Sequence, residues 1–337
     1  KVTILPEGKN HGLIFLLDWS GSMHYVINDT VKQLLNLVWF CKKVNIPFEV
    51  YGFTNDSAPE WMNRDDSRHG VKEIQEMVEN TIYCHSSFRL LNFLSSSRSN
   101  KDFDMDCIAL WKLSYSIQKG YSDYVPYGMN LSGTPLNECI VALRDLIPDF
   151  FKKHNVSKLN TVFLTDGESM SIGRVNKVQS YYEPDEMMFG RVNMHNHCQI
   201  RDRKIGRVYH ACNEWNWKSS ITQTLLQNLQ DNFPNVNVIG IRLLQSGEVS
   251  RFHMMYDADQ VYSDKQRKEW SRNKSSILKP TGYSVLYGIA SNKMSDDAEF
   301  EVKENATKAQ IRSAFRKNLK TKSTNKKVLS SFVDMVA

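Results

Sequence analysis

The sequence predicts an α/β fold with a mostly parallel central sheet and helices on both faces. Short apolar runs without polar alternation, at 12–17, 46–53 and 160–165, read as strands buried on both sides. Segments with an apolar residue every three or four positions separate them and read as amphipathic helices. A strand–helix–strand order of this kind builds parallel crossover units.

The elements follow in order. Residues 12–17, Gly-Leu-Ile-Phe-Leu-Leu, form the first strand, and the charge of Asp18 ends it. Residues 28–43 are a helix with Val31, Leu34, Leu35, Val38 and Cys41 on one stripe and Asn28 or Asp29 as cap. Residues 46–53 complete the crossover. Residues 54–82 are polar, with one short helical stretch near 71–80. Residues 88–94 and 102–117 read as helical, and 119–133 as a loop rich in Tyr, Gly and Ser. Leu136, Ile140, Leu143 and Ile147 mark a helix that Thr134 caps and Pro135 opens. The strand at 160–165 stops at Asp166-Gly167. Residues 168–215 neither alternate nor show a helical stripe, so they read as an irregular insertion. Ile221, Leu225, Leu226 and Leu229 resume a helix, and 236–242 and 282–289 read as strands. Helices at about 307–319 and 326–336 close the chain. Residues 1–305 are thus expected to form one domain, with 306–337 a basic helical extension packed on it.

Composition narrows the function classes. With 337 residues and 41% hydrophobic content the chain can bury a sizeable core. No apolar run approaches the ~20 residues of a membrane helix, so no membrane role is expected. The six cysteines are irregularly spaced, which argues against a disulfide framework and for the cytoplasm. The chain starts at Lys1 rather than Met and is read as part of a longer protein. Eight of its basic residues lie between Lys308 and Lys327, where no acid occurs; without them the net charge of +6 falls to −2. One local contact, through Arg312, Arg316, Lys317 and Lys320, is therefore expected with an anion or an acidic partner, or else a solvated helix face. Nucleic-acid phosphates are the alternative ligand.

The informative segment is Asp18-Trp19-Ser20-Gly21-Ser22, where the first strand ends. Ser132-Gly133-Thr134-Pro135 enters a helix and Thr165-Asp166-Gly167 leaves a strand, so both supply oxygens at equivalent points. In a parallel sheet, ligands gather outside the carboxyl ends of the strands. The carboxylates of Asp18 and Asp166, with the hydroxyls of Ser20, Ser22 and Thr134, form a hard oxygen set. That set suits Mg²⁺, with Mn²⁺ or Ca²⁺ as alternatives; it is small and lacks a bidentate Glu.

Asp-x-Ser-x-Ser followed by a distant Thr and a distant Asp resembles the metal-ion-dependent adhesion site of von Willebrand factor A domains. The likeness covers most of residues 12–245 and implies that family's Rossmann-like sheet. By this resemblance Ser20 and Ser22 contact the ion directly. Thr134 does so directly or through water, and Asp18 and Asp166 act largely through water. An open position then takes an Asp or Glu from a partner protein. Leu131-Ser132-Gly133-Thr134-Pro135-Leu136-Asn137-Glu138, with the tail Ala306-Thr307-Lys308-Ala309-Gln310-Ile311, Phe315-Arg316-Lys317 and Ser331-Phe332-Val333, is similar to cobaltochelatase T-like proteins, especially bacteriophage versions. This resemblance implies an adaptor that works with a MoxR-type AAA+ ATPase, in the bacterial host cytoplasm if phage-encoded. The alternative it leaves is a non-ATPase subunit of a cobaltochelatase acting on a tetrapyrrole.

Two other groupings compete for chemistry. His195, His197, Cys198, His210 and Cys212 have residue types that suit zinc, but their spacing matches no standard finger. Trp215-Asn216-Trp217 and Tyr181-Tyr182 read as residues that pin the insertion to the core. No Gly-x-x-x-x-Gly-Lys-[Ser/Thr], Gly-x-Gly-x-x-Gly or Gly-x-Ser-x-Gly motif occurs, so no catalytic residue is assigned.

Overall fold

The structure is a computed structural model that describes residues 11–43, 45–56, 78–84, 87–170, 172–179, 187–194, 198–211, 217–257, 259 and 261–291. In chain order the elements are β1 (His11–Asp18), α1 (Ile27–Lys43), β2 (Phe48–Thr54), β3 (Ile82–Tyr83), β4 (Arg89–Ser95), α2 (Asn100–Gln118), α3 (Leu136–His154) and β5 (Lys158–Thr165). There follow β6 (Gly173–Gln179), β7 (Met187–Asn193), β8 (Cys198–Asp202), β9 (Arg207–Ala211), α4 (Trp217–Asn232), β10 (Val236–Leu244), α5 (Val249–Tyr256), α6 (Asp264–Asn273), β11 (Ser275–Leu278) and β12 (Val285–Ala290).

Seven strands form the central sheet in the order β11-β12-β10-β5-β1-β2-β4. β1 lies inside it, parallel to β5 on one side and β2 on the other. β10 and β12 continue the parallel ladder, and the antiparallel pairs β2–β4 and β11–β12 close its two edges. The fold is therefore mixed α/β with a mostly parallel sheet, as the buried runs predict.

The alternation of β1 divides the core. Leu13, Phe15 and Leu17 join one cluster with Ile27, Val31 and Val38 of α1 and Phe103, Cys107 and Leu110 of α2. Ile14 and Leu16 join another with Ile140, Leu143 and Ile147 of α3 and Leu225 and Leu229 of α4. Each such side chain contributes about 1.5–3 kcal/mol by leaving water. A strand with both faces covered has no polar positions to spare, which is why 12–17 reads as a continuous apolar run. A third cluster, with Phe252 and Tyr256 of α5 and Trp270 of α6, covers Leu244, Leu286 and Ala290 beside the β10–β12 pair.

Several expectations are corrected. Residues 88–94 are not helical: β4 pairs antiparallel with β2, with a register shift between Val50 and Tyr51. Leu90, Phe93 and Leu94 mimic helical spacing, but periodicity does not discriminate in so short a run. Residues 168–215 are not wholly irregular. β6 pairs with β7 and β8 with β9 in two hairpins, and β3 joins β6. Their exposed positions carry mixed polar and apolar residues, which hides the alternation. The start of α1 is earlier than expected, so Asn28 is not its cap; its side-chain amide instead donates to Ser114 Oγ on α2 at 3.0 Å. Pro135, not Thr134, occupies the cap position of α3. The stretch near 71–77 and the helices at 307–319 and 326–336 lie outside the described residues, as does the extension 306–337.

Candidate metal centre

β1 and β5 are neighbours whose onward connections lead to opposite halves of the sheet, β2 on one side and β10 on the other. Their carboxyl ends form a switch point, the place where open α/β sheets hold ligands. Asp18 ends β1, and Asp166 follows the last residue of β5.

Three loops meet there. Beyond Asp18 the chain passes through the fully buried Trp19, whose indole N–H donates to Met129 O at 2.7 Å. Ser20 then pairs with Ser132 as an isolated parallel bridge, and Gly21 N donates to Ser132 O at 2.7 Å. This bridge ties the Asp18–Ser22 loop to the loop that carries Thr134. Gly133 N donates to Asn55 Oδ1 at 2.6 Å, just past β2. A Cβ on Gly133 would overlap Asn55 Oδ1 and Met170 Sδ, so a larger residue there would displace both side chains. Thr134 O accepts from Met170 N at 2.9 Å, which fastens the third loop.

The side chains meet as the backbone implies. Ser22 Oγ donates to Asp166 Oδ1 at 2.7 Å and lies 3.1 Å from Ser20 Oγ. Thr165 Oγ1 donates to Asp18 Oδ2 at 2.5 Å and accepts from Gly167 N at 3.1 Å. A Cβ placed on Gly167 would lie 3.7 Å from Thr134 Oγ1 and 4.0 Å from Ser22 Oγ, so both hydroxyls face that turn. Asp18, Ser20 and Thr134 are buried, Asp166 is half-buried, and Ser22 is exposed. All five residues singled out from the sequence are thus brought to one place.

The electrostatics are those of an undercompensated acidic site. Burial pushes the Asp18 carboxyl up to about 7, against hydrogen bonds from Thr165 and Ser20 and the charge of Arg242, and the neighbouring charge of Asp166 adds to the shift. Burial also raises Asp166, while Ser22 and Arg242 oppose the change. Asp18 Oδ1 is buried and has no hydrogen-bond partner. Other buried carboxylates are paired: Glu49 accepts from Asn92, Ser95 and Lys153, and Asp202 from Arg144, Asn228 and Asn232. Glu138 also keeps an orphan oxygen, Oε2, but no second carboxylate is among the charges acting on it. Among the described residues no three His, Cys, Asp or Glu side chains gather as a metal-binding group. The site at Asp18 holds two carboxylates, and hydroxyls make up the rest. An orphan carboxylate oxygen beside a second carboxylate and three hydroxyls fits a hard divalent cation.

The remaining candidates fare differently. Cys198 pairs with Ala211 and Gln199 with His210, so Cys198 and His210 point to opposite faces of the β8–β9 ribbon. Cys198 packs against the core, while His210 is exposed. One ion therefore cannot take both in this hairpin. His195, His197 and Cys212 lie outside the described residues, as do Arg312, Arg316, Lys317 and Lys320. No disulfide joins the described cysteines Cys41, Cys84, Cys107, Cys139 and Cys198.

Sequence reasoning missed three residues that shape the site, Asn55, Glu168 and Arg242, and took Thr165 only as part of the Thr165-Asp166-Gly167 segment. Arg242 Nη1 lies 2.5 Å from Glu168 Oε1, and the Tyr256 hydroxyl donates to Glu168 Oε2 at 2.8 Å. A cation near the end of an otherwise apolar strand is the signal that could have marked Arg242.

No protein-family model matches the chain. No curated protein matches it either. Among solved structures it is similar to the pilus adhesin SpaC from Lactobacillus rhamnosus GG in its open conformation, at 11% identity and a TM-score of 0.37. That match covers 77% of this chain and 28% of the adhesin. It is also similar to a point mutant of the PilB minor pilin from Streptococcus sanguinis, at 9% identity and a TM-score of 0.38, over 99% of this chain and 65% of the pilin. TM-scores this low do not define a shared fold.

Proposed function

We propose that the chain is a Mg²⁺-dependent protein-binding module of the von Willebrand factor A type. In this reading it is the adaptor part of a cobaltochelatase T-like protein that works with a MoxR-type AAA+ ATPase in the cytoplasm. The observation that carries the reading is the unpartnered Asp18 Oδ1, buried beside Asp166 and the hydroxyls of Ser20, Ser22 and Thr134. Asp18 and Asp166 hold the cation's charge in place, and Thr165 and Ser22 orient them through hydrogen bonds. Ser20, Ser22 and Thr134 offer neutral oxygens, so this chain contributes only two negative charges. When bound, the ion supplies an electrophilic centre for a partner's Asp or Glu.

No helix among the described residues is long and apolar enough to cross a bilayer.

The test is a binding assay with wild type and folded Thr134→Ala, each with Mg²⁺ and with a chelator, beside a melting curve. The expected result is a set of proteins retained by wild type only with Mg²⁺ and lost in Thr134→Ala, with the two proteins melting at the same temperature in chelator. Retention that survives both chelation and the substitution contradicts the adhesion reading. If the ion merely ties the loops together, Thr134→Ala would melt lower in Mg²⁺ than wild type and still bind its partners whenever folded.

A further inference from the structure

Resting on the metal reading above, we infer that Arg242 is a positioning residue that keeps Glu168 from acting as a third carboxylate ligand and so sets the site's preference for Mg²⁺ over Ca²⁺. Glu168 lies two residues after Asp166 and next to Gly167, whose turn faces Thr134 and Ser22. A carboxylate on this turn follows Asp166 by two residues, and the inference is that, once released, it would turn toward a cation held by Asp166. Its two oxygens are nevertheless both engaged. Oε1 accepts from Arg242 Nη1 near the end of β10, and Oε2 accepts from the Tyr256 hydroxyl at the end of α5. Arg242 and Glu168 are both largely buried, with side chains 13% and 14% exposed.

A buried ion pair of this kind adds little net stability, because desolvation offsets the attraction. Its placement is informative instead. Arg242 stands opposite Thr165 in the β5–β10 ladder, and Thr165 is the residue that holds Asp18. The guanidinium hydrogen-bonds Glu168, and its charge also favours the ionised forms of Asp18 and Asp166. Divalent-ion selectivity follows the number and charge of oxygen ligands. A bidentate Glu suits Ca²⁺, whereas Mg²⁺ uses one or two carboxylates and keeps its waters. With Glu168 clamped, the chain offers the small set. With Glu168 released, it offers a third carboxylate and lowers the charge left for a partner acid.

The experiment is a pair of calorimetric titrations, MgCl₂ and CaCl₂, on wild type, Arg242→Gln, Tyr256→Phe, Glu168→Gln and the double variant Arg242→Gln/Glu168→Gln, each beside a melting curve. Arg242→Gln should raise the Ca²⁺-to-Mg²⁺ affinity ratio on the order of tenfold by adding a carboxylate ligand. Tyr256→Phe keeps the ion pair and covers the case in which Arg242→Gln does not fold; it should move the ratio the same way by less. Glu168→Gln and the double variant should keep the wild-type ratio, because the carboxylate is gone. A merely structural role would shift melting temperatures and leave the ratio unchanged in every variant, and that result overturns the inference. A wild-type protein that takes up neither cation overturns the metal reading itself, and this inference with it.

Discussion

Asp18 is a carboxylate with one oxygen bound and one orphaned, and Thr165 is the residue that makes the difference. The hydroxyl of Thr165 donates to Oδ2 and fixes the rotamer that leaves Oδ1 aimed away from it. Replacing Thr165 by valine keeps the shape and removes the donor. A buried acceptor left without its donor costs about 1–3 kcal/mol, so Thr165→Val should melt several degrees lower without metal. An unchanged melting temperature would mean that water replaces the hydroxyl and that Asp18 is less enclosed than described. At this scale much of the site was legible in the sequence. Asp-x-Ser-x-Ser ends an apolar run, and Thr-Asp-Gly ends another, so both acids had to emerge at strand ends. Asn55, Glu168 and Arg242, and the bond from Thr165 to Asp18, were not legible, because each rests on a contact across a large sequence separation that no local spacing encodes.

Between residue and fold, the β8–β9 hairpin shows how an element that looks irregular in sequence is held. Tyr209 points into the core while its neighbours on the strand are exposed, so alternation exists but is written in mixed residue types. The turn is anchored by Asp202, which accepts from Arg144 on α3, Asn228 and Asn232 on α4, and the backbone N–H of Lys204. Burial alone would raise this carboxyl, but those donors outweigh it and hold Asp202 well below the usual carboxylate range. Asp202→Ala should cost about 3 kcal/mol at neutral pH, because Arg144 and the two amides lose their shared acceptor. The folded state depresses the pKa, so the stabilisation is fully present above the unfolded value of ~3.9. It fades as the pH falls through the folded value. Urea unfolding of wild type and Asp202→Ala should therefore differ most at neutral pH, and the gap should narrow below about pH 4. A gap that widens on acidification would reverse the assigned shift. Short elements elsewhere follow the same rule. The strand read as a helix at 88–94 was ambiguous because seven residues hold too few periods, whereas α3, with four spaced apolar positions and Pro135 at its start, was not.

The whole molecule explains why the site stands where it does. A sheet that grows in both directions from β1 and β5 leaves their carboxyl ends without a covering crossover, and three loops close over that gap. The buried runs predicted the parallel sheet, since only strands covered on both sides lack polar alternation. They did not predict the antiparallel edge strands β4 and β11, which are partly exposed and so carry weaker patterns. The core under the site comes from Leu16, Val162 and Phe163 rather than from the oxygens at the rim. Loss of one rim oxygen should therefore spare the fold. The most direct measurement is a calorimetric titration of Mg²⁺ into wild type and Asp18→Ala, with a melting curve for each. The account predicts a single saturable site in wild type, a higher melting temperature with Mg²⁺, and no heat of binding in a folded Asp18→Ala protein. Undiminished Mg²⁺ binding by Asp18→Ala, or none by wild type, would contradict it.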